Sequence, residues 1–216
     1  FDIRKHLLEY DDVMNKQREV IYSQRREVLQ SDNISDIIED MRSDIMEDLV
    51  DSTAQERLPS EDWEWSFFEE RVAEIFAIAP GWLGKDRKGL NRDTLLEKLQ
   101  AEVDWAYQAQ EERNGVDQTR QLERMLLLQV VDTLWKEHLL SMDHLKEGIG
   151  LRGYGQKDPL DEYKKEGHTM FQAMIETVKE QTVNNLMHVR LVQEQEIAEM
   201  EEEQRRRREQ ELELAH

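Results

Sequence analysis

The chain has 216 residues, of which 38% are hydrophobic and 36% charged, and it contains only three prolines, a composition that favours an elongated all-α protein over a compact globule. A net charge of -20 argues against nucleic acid as a partner, because nucleic-acid binding depends on lysine and arginine displacing counterions from phosphates. The absence of cysteine excludes disulfides and thiolate metal sites, and no apolar run approaches the roughly 20 residues that a membrane-spanning helix needs.

The first predicted element is a long helix over residues 1–30. One seam of this helix repeats at alternating steps of four and three residues, the spacing of a helix that packs lengthwise on others. The seam consists of Ile3, Leu7, Tyr10, Met14, Gln17, Ile21, Gln24 and Val28. Because the chain begins at Phe1 rather than methionine and the pattern starts at once, we expect it to be a piece of a larger protein. The polar cluster Ser31–Asn33 is predicted to end this helix and cap the next.

Residues 31–115 are predicted to form a small helical wing domain. Its first helix carries one apolar face, made of Ile34, Ile38, Met41, Ile45 and Leu49. Pro59 and Ser60 are predicted to restart a helix, and four of the five tryptophans follow between Trp63 and Trp105. The last helix of the wing is predicted to start near Asp93, with Thr94 and Glu97 in capping-box spacing, and to end at Gly115.

Residues 116–192 predict two long helices that pack against each other. No glycine or proline interrupts the stretch from Val116 to Glu147, and one apolar stripe runs from Leu127 to Ile149. A second stripe runs from Tyr163 to Val189. The two helices are therefore expected to be antiparallel with the first helix alongside, so that the wing is inserted in a scaffold of long helices. Residues 193–216 are too charged to bury and are predicted to form a charged C-terminal tail.

A glycine cluster between these two helices predicts the tip of a hairpin near residues 148–158. Glycines favour a reversal here because they tolerate positive φ. Tyr154 lies within the cluster, with Arg152 and Lys157 on either side, which makes this tip a candidate contact surface. The residues assigned to the turn are Gly148, Gly150, Gly155 and Pro159.

Two motifs in this region suggest chemical sites, but a plain turn and a plain helix surface explain them better. Gly148, Gly150 and Gly153 match G-x-G-x-x-G, but a dinucleotide site needs a preceding strand, and a helical pattern precedes them here. His138 and His144 are six residues apart and so lie on opposite faces of a helix, unlike the zinc pair of H-E-x-x-H. We therefore expect no metal site, and the sequence contains no P-loop or nucleophile elbow that predicts catalysis by this chain alone.

Three segments carry a family resemblance: IRKHLLEYDDVMNKQREVIYSQRREVL, LWKEHLLSMDHLKEGIGLRGYGQKDPLDEYKKEG and the following MF-x-AM. They closely resemble the C-terminal half of SecA, the motor ATPase of bacterial preprotein translocation. The resemblance implies a helical scaffold domain interrupted by a helical wing domain, in which the second and third scaffold helices form a two-helix finger. The tip of that finger is the LRGY segment, which in this chain is Leu151, Arg152, Gly153 and Tyr154.

The same resemblance implies partners and a regulatory role. In the family the finger tip contacts the translocating polypeptide at the mouth of the SecY channel, and the hairpin restrains ATP hydrolysis, which points to Trp135 and Arg152 as regulatory residues. The implied partners are the SecA motor domains, the SecYEG channel, unfolded preprotein and, through the parent protein, an acidic-lipid membrane surface. The implied location is cytoplasmic, at the inner face of the plasma membrane. ATP and Mg belong to the parent's motor domains, so no cofactor is expected in this chain.

A non-catalytic coiled-coil adaptor that joins protein partners is the alternative interpretation of the same helices. An adaptor does not need the glycine cluster or Tyr154, because a short turn would join its helices equally well. Under the SecA interpretation the surface that faces the motor domains is uncovered in this chain, so self-association into a homo-oligomer is also expected.

Overall fold

The computed structural model describes residues 2–55, 58–84, 87–152 and 158–189, and these residues form six α-helices and no strand. The helices are α1 (Asp2–Gln30), α2 (Ser35–Thr53), α3 (Trp65–Phe76), α4 (Arg92–Asn114), α5 (Val116–Arg152) and α6 (Pro159–His188), and a 3₁₀ turn spans Ser60–Asp62. The predicted all-α fold class is confirmed.

Helices α5 and α6 pack against each other as an antiparallel pair. Ile149 near the end of α5 shares a buried cluster with Tyr163 near the start of α6. Trp135, earlier in α5, shares a second cluster with Met174, later in α6. Earlier residues of α5 therefore lie against later residues of α6, which makes the pair antiparallel. Helix α1 lies against both, because Ile21 belongs to the same cluster as Trp135 and Met174. The predicted scaffold of long antiparallel helices is therefore confirmed.

Helix α1 ends where the polar cluster predicted. The backbone N–H and the hydroxyl of Ser31 both bond the carbonyl of Glu27, at 3.0 and 2.8 Å, and close the last turn. The side chain of Asn33 then accepts a hydrogen bond of 2.8 Å from the backbone N–H of Ser35, the first residue of α2. Four members of the predicted apolar face of α2 and its entry are buried and the fifth, Met41, is partly buried.

Helix α4 begins at Arg92, which confirms the predicted start near Asp93, but its capping box differs from the predicted one. The N-cap residue is Asn91, whose side chain accepts from the backbone N–H of Thr94 at 2.9 Å, while the Thr94 hydroxyl accepts from the backbone N–H of Asn91 at 2.9 Å. The predicted capping box of Thr94 and Glu97 is thus wrong, because Thr94 is the inner partner of a box that starts three residues earlier. The predicted end is confirmed: Gly115 terminates α4 with a φ of 88°.

The wing helices α2, α3 and α4 share one continuous hydrophobic cluster with the base of α5 and α6. Polar contacts join the wing to the C-terminal half of α6. Lys179 pairs with Asp44 at 2.8 Å, and Asn184 donates to the backbone carbonyl of Glu74 at 2.7 Å. The wing is therefore attached to the end of the helix pair that lies farthest from residues 152 and 158.

Candidate functional site: the paired helices α5 and α6

The end of the helix pair where the tip was predicted is formed by the last turn of α5 and the first turn of α6. Gly148 and Gly150 lie within α5, so their assignment to the turn is corrected. Leu151 and Arg152 are the last residues of α5, whereas Gly153, Tyr154 and Gly155 lie outside the described residues.

Helix α6 starts at the predicted proline. Asp158 is the N-cap residue, and its carboxylate accepts a hydrogen bond of 2.8 Å from the backbone N–H of Leu160. Pro159 occupies the first helical position, where its missing N–H costs nothing. The chain therefore passes from α5 to α6 between Arg152 and Asp158.

A buried aromatic contact fixes the pair near this end. The rings of Tyr10 on α1 and Tyr163 on α6 meet edge to face with centroids 4.8 Å apart. Tyr163 is 1% exposed, and its burial, with the carboxylates of Asp143 and Asp11 nearby, raises its pKa to about 12. The phenol is thus neutral at physiological pH, and the contact is one of apolar packing.

Trp135, the residue singled out for ATPase regulation, lies midway along α5. Its indole stacks on the ring of His138, with centroids 5.6 Å apart, and Trp135 is 6% exposed. The buried indole N–H has no hydrogen-bond partner among the residues that the structure describes. Seventeen residues separate Trp135 from Arg152, which along a helix is roughly 25 Å. The structure therefore does not bring these two candidate regulatory residues together.

A groove of about 590 Å³ lies between α1 and α5, and Trp135 is part of its lining. Its walls include the exposed side chains of Tyr22 and Leu29. Across the groove Arg25 binds Asp132 through two hydrogen bonds of 2.9 and 3.2 Å. This ion pair links the two helices at a solvent-exposed position, where such pairs contribute little to stability.

A polar contact outside the predicted sites joins all three scaffold helices. Gln17 on α1 bonds His138 on α5 at 2.8 Å and the backbone carbonyl of Gly167 on α6 at 3.1 Å. The sequence does carry a signal for this contact, because Gln17 is a polar residue at a seam position of α1, and such residues often specify helix register.

A second polar cluster, also absent from the sequence analysis, lies where the wing meets α5. The carboxylate of Glu123 is 0% exposed and accepts hydrogen bonds from Tyr107 on α4 and from Arg120, which also pairs with Glu111. Burial is the main cause of the raised pKa of Glu123. The predicted domain boundary at Gly115 separated these residues in the sequence, although the fold brings them together.

The part of the chain that the structure describes shows no metal-binding cluster of three or more His, Cys, Asp or Glu side chains. His138 is buried and His144 is exposed, as expected of residues on opposite faces. Among the same residues, no helix combines the length and apolarity that crossing a bilayer requires.

Comparison with known proteins identifies the family. The family described as SecA Wing and Scaffold domain matches residues 1–190. The chain belongs to this SecA family. A protein translocase subunit SecA of Desulfotalea psychrophila is 54% identical over 202 residues, which is 94% of this chain and 24% of that protein. The corresponding protein of Syntrophobacter fumaroxidans is 49% identical over 93% of this chain, and that of Geotalea uraniireducens is 44% identical over 94%. The chain thus spans about a quarter of the length of these relatives.

Proposed function

We propose that α5 and α6 are the two-helix finger of a SecA protein-translocation motor, with residues 151–154 as the tip that contacts the preprotein and the mouth of the SecY channel. The observation that carries this proposal is the buried contact between the helices over nearly their whole length, from Leu122 and Leu186 at the wing to Ile149 and Tyr163 near the tip. Family membership supports it. Helices packed in this way move as one body, so a displacement at the base reaches the tip.

The proposed division of labour leaves the chemistry to the rest of the parent protein. ATP and its Mg²⁺ would bind in motor domains outside this chain, and the scaffold would couple hydrolysis there to movement of the finger. The partners proposed for the chain are those motor domains, the SecYEG channel, unfolded preprotein and, through the parent, an acidic-lipid membrane surface. The parent would act in the cytoplasm at the inner face of the plasma membrane.

Tyr154 is the residue through which the proposed tip would grip polypeptide. A tyrosine ring contacts many sequences without selecting one, which suits a substrate of arbitrary sequence. The test is a chimera in which this chain replaces the matching segment of the Desulfotalea psychrophila relative. Tyr154→Ala should lower translocation of a secretory precursor into vesicles far more than it lowers nucleotide binding, and Tyr154→Phe should retain more activity than Ala.

Thermal melting of each variant distinguishes a loss of polypeptide contact from a loss of protein stability. An exposed tip residue should change the free energy of unfolding by no more than about 0.5 kcal/mol when replaced by alanine. A melting temperature several degrees lower would mean that Tyr154 is packed and structural. Translocation equal to that of the parent would exclude the tip role and favour the adaptor alternative.

A further inference from the structure

Gln17 makes the most specific contact among the three scaffold helices. Its side chain is 7% exposed, and it reaches from α1 to a side chain of α5 and to the backbone of α6. Two other polar links from α1 to α5 among the described residues are more exposed than Gln17: Arg25 with Asp132 at 2.9 Å and Lys146 with Asp11 at 3.3 Å. Water and salt weaken exposed pairs of this kind.

The orientation of the Gln17 amide follows from its partners. The carbonyl of Gly167 only accepts, so the amide nitrogen must face it, at 3.1 Å. The amide oxygen then faces His138, at 2.8 Å, and an oxygen that only accepts requires His138 to donate from Nε2. Burial lowers the pKa of His138, which keeps this ring neutral. The two hydrogen bonds therefore specify one amide orientation and one imidazole tautomer.

Gly167 makes the arrangement sterically feasible. A Cβ at this position would lie 2.7 Å from the terminal methyl of Met142 and 3.3 Å from its sulfur, so the absence of a side chain lets α5 approach α6. The same ideal Cβ would be 4.0 Å from the Gln17 amide nitrogen. The carbonyl that Gln17 binds thus belongs to a residue of α6 that lies directly against Met142 of α5.

From these contacts we infer that Gln17 is a positioning residue that fixes the register of the finger pair against α1. Apolar contacts between helices tolerate sliding, whereas the Gln17 amide binds one carbonyl and one imidazole. A slide to the next equivalent position requires about 5.4 Å, one helical turn, and breaks both hydrogen bonds. This inference rests on the proposed function, because it gives the register a role in passing displacement from α1 to the finger.

The test begins with the helix register itself. Gln17→Met keeps the length of the side chain and removes both hydrogen bonds, and Gln24→Met is the matched control at an exposed glutamine on the same helix. The chain contains no cysteine, so spin labels at Ser23→Cys and Gln172→Cys, both exposed, report the distance between α1 and α6. Gln17→Met should broaden the distance distribution, while Gln24→Met should leave it unchanged.

His138→Phe provides a second variant that keeps an aromatic ring against Trp135 and leaves the Gly167 hydrogen bond in place. It should broaden the distribution less than Gln17→Met does. Melting curves ensure that every distance is measured well below the unfolding transition. A narrow distribution in both Gln17→Met and His138→Phe would overturn the inference.

The functional arm measures the amount of precursor translocated per ATP hydrolysed in the chimera. Gln17→Met should lower this ratio by a factor of about 2 to 30, the range for residues that couple two sites, with nucleotide affinity unchanged. A merely stabilising residue would leave the ratio intact below the melting temperature, and an intact ratio with a broadened distribution would overturn the positioning role. Failure of the proposed function appears separately, as full translocation by Tyr154→Ala.

Discussion

Two glycines, one in α5 and one in α6, should have opposite effects on stability when replaced by alanine. In an unstrained helix interior, glycine to alanine stabilises by about 0.5–1 kcal/mol. Gly148 lies within α5, and a Cβ there would meet nothing within 4 Å. Gly148→Ala should therefore raise the free energy of unfolding by about that amount.

At Gly167 the same propensity gain competes with a steric clash. The added Cβ would lie 2.7 Å from the Met142 methyl, which is at the end of a flexible side chain but belongs to a residue only 1% exposed. Because Leu145, Ile149 and Tyr163 surround that methionine, it has little room to move, and overpacking a core costs about 1–3 kcal/mol. The net expectation for Gly167→Ala is a loss of about 1 kcal/mol.

Denaturant or thermal unfolding of the two variants measures the contrast. For a chain of this size each kcal/mol in the free energy of unfolding shifts the melting temperature by about 2–4 °C. The melting temperatures of Gly148→Ala and Gly167→Ala should therefore differ by several degrees. Adding Met142→Val to Gly167→Ala should recover part of the loss, because it removes the clashing methyl. Equal stabilisation by both alanines would refute the close approach at Gly167, and destabilisation by Gly148→Ala would refute the helical assignment of that residue.

Three further perturbations test the buried groups. The pKa of His138 is lower in the folded chain than in the unfolded chain, so the unfolded chain binds this proton first as the pH falls. The melting temperature should therefore fall as the pH drops from about 7 to about 5. It should fall less steeply in His138→Phe. Equal slopes would mean that the ring is solvated. Arg120→Ala leaves Glu123 buried without its cation and should cost about 3 kcal/mol in denaturant unfolding, against less than about 0.5 for the exposed Arg113→Ala. Leu134→Asp, at a partly buried position against the wing cluster and the cluster of Trp135, should lower the free energy of unfolding by at least about 1 kcal/mol, and an unchanged melting temperature would remove Leu134 from the core.

The long helices were predictable because their apolar residues repeat over many turns. A period sustained from Tyr10 to Val28 admits few alternatives to a helix with one buried face. The helix ends at Gln30 and Gly115 were predictable because they depend on local residues. Polar side chains bond the last backbone groups of a helix, and a glycine adopts the positive φ that ends it, whatever the helix packs against.

The end of α5 was not predictable from the glycines alone. Gly148 and Gly150 suggested a turn, yet Ile149 between them is 2% exposed and packs with Tyr163. Burial of a side chain as large as isoleucine contributes about 1.5–3 kcal/mol, enough to offset the combined helix penalty of about 2 kcal/mol for the two glycines. The amino-acid composition of residues 148–158 alone does not predict such a tertiary contact.

The two buried polar clusters depend on contacts between distant parts of the chain. Gln17 and Gln24 occupy equivalent seam positions in the sequence, but only Gln17 is buried. What distinguishes them is the partner opposite each: Gln17 meets His138 and the backbone at Gly167, and no pattern within α1 encodes that. From the sequence alone, Glu123 would likewise be predicted to be a solvated charge, because its hydrogen bond with Tyr107 of α4 exists only in the folded chain.

The position of α1 limits how the proposed finger can move. Tyr10 packs on Tyr163 near the tip, Gln17 binds both finger helices midway, and Val28 joins the cluster at the wing. A helix that touches the pair at three levels stiffens it against bending, so the tip is expected to follow α1 and the wing rather than swing on its own. If the finger acts in translocation, the driving displacement must therefore enter through α1 or the base of the pair, and loosening the contact at Gln17 should uncouple the tip without unfolding it.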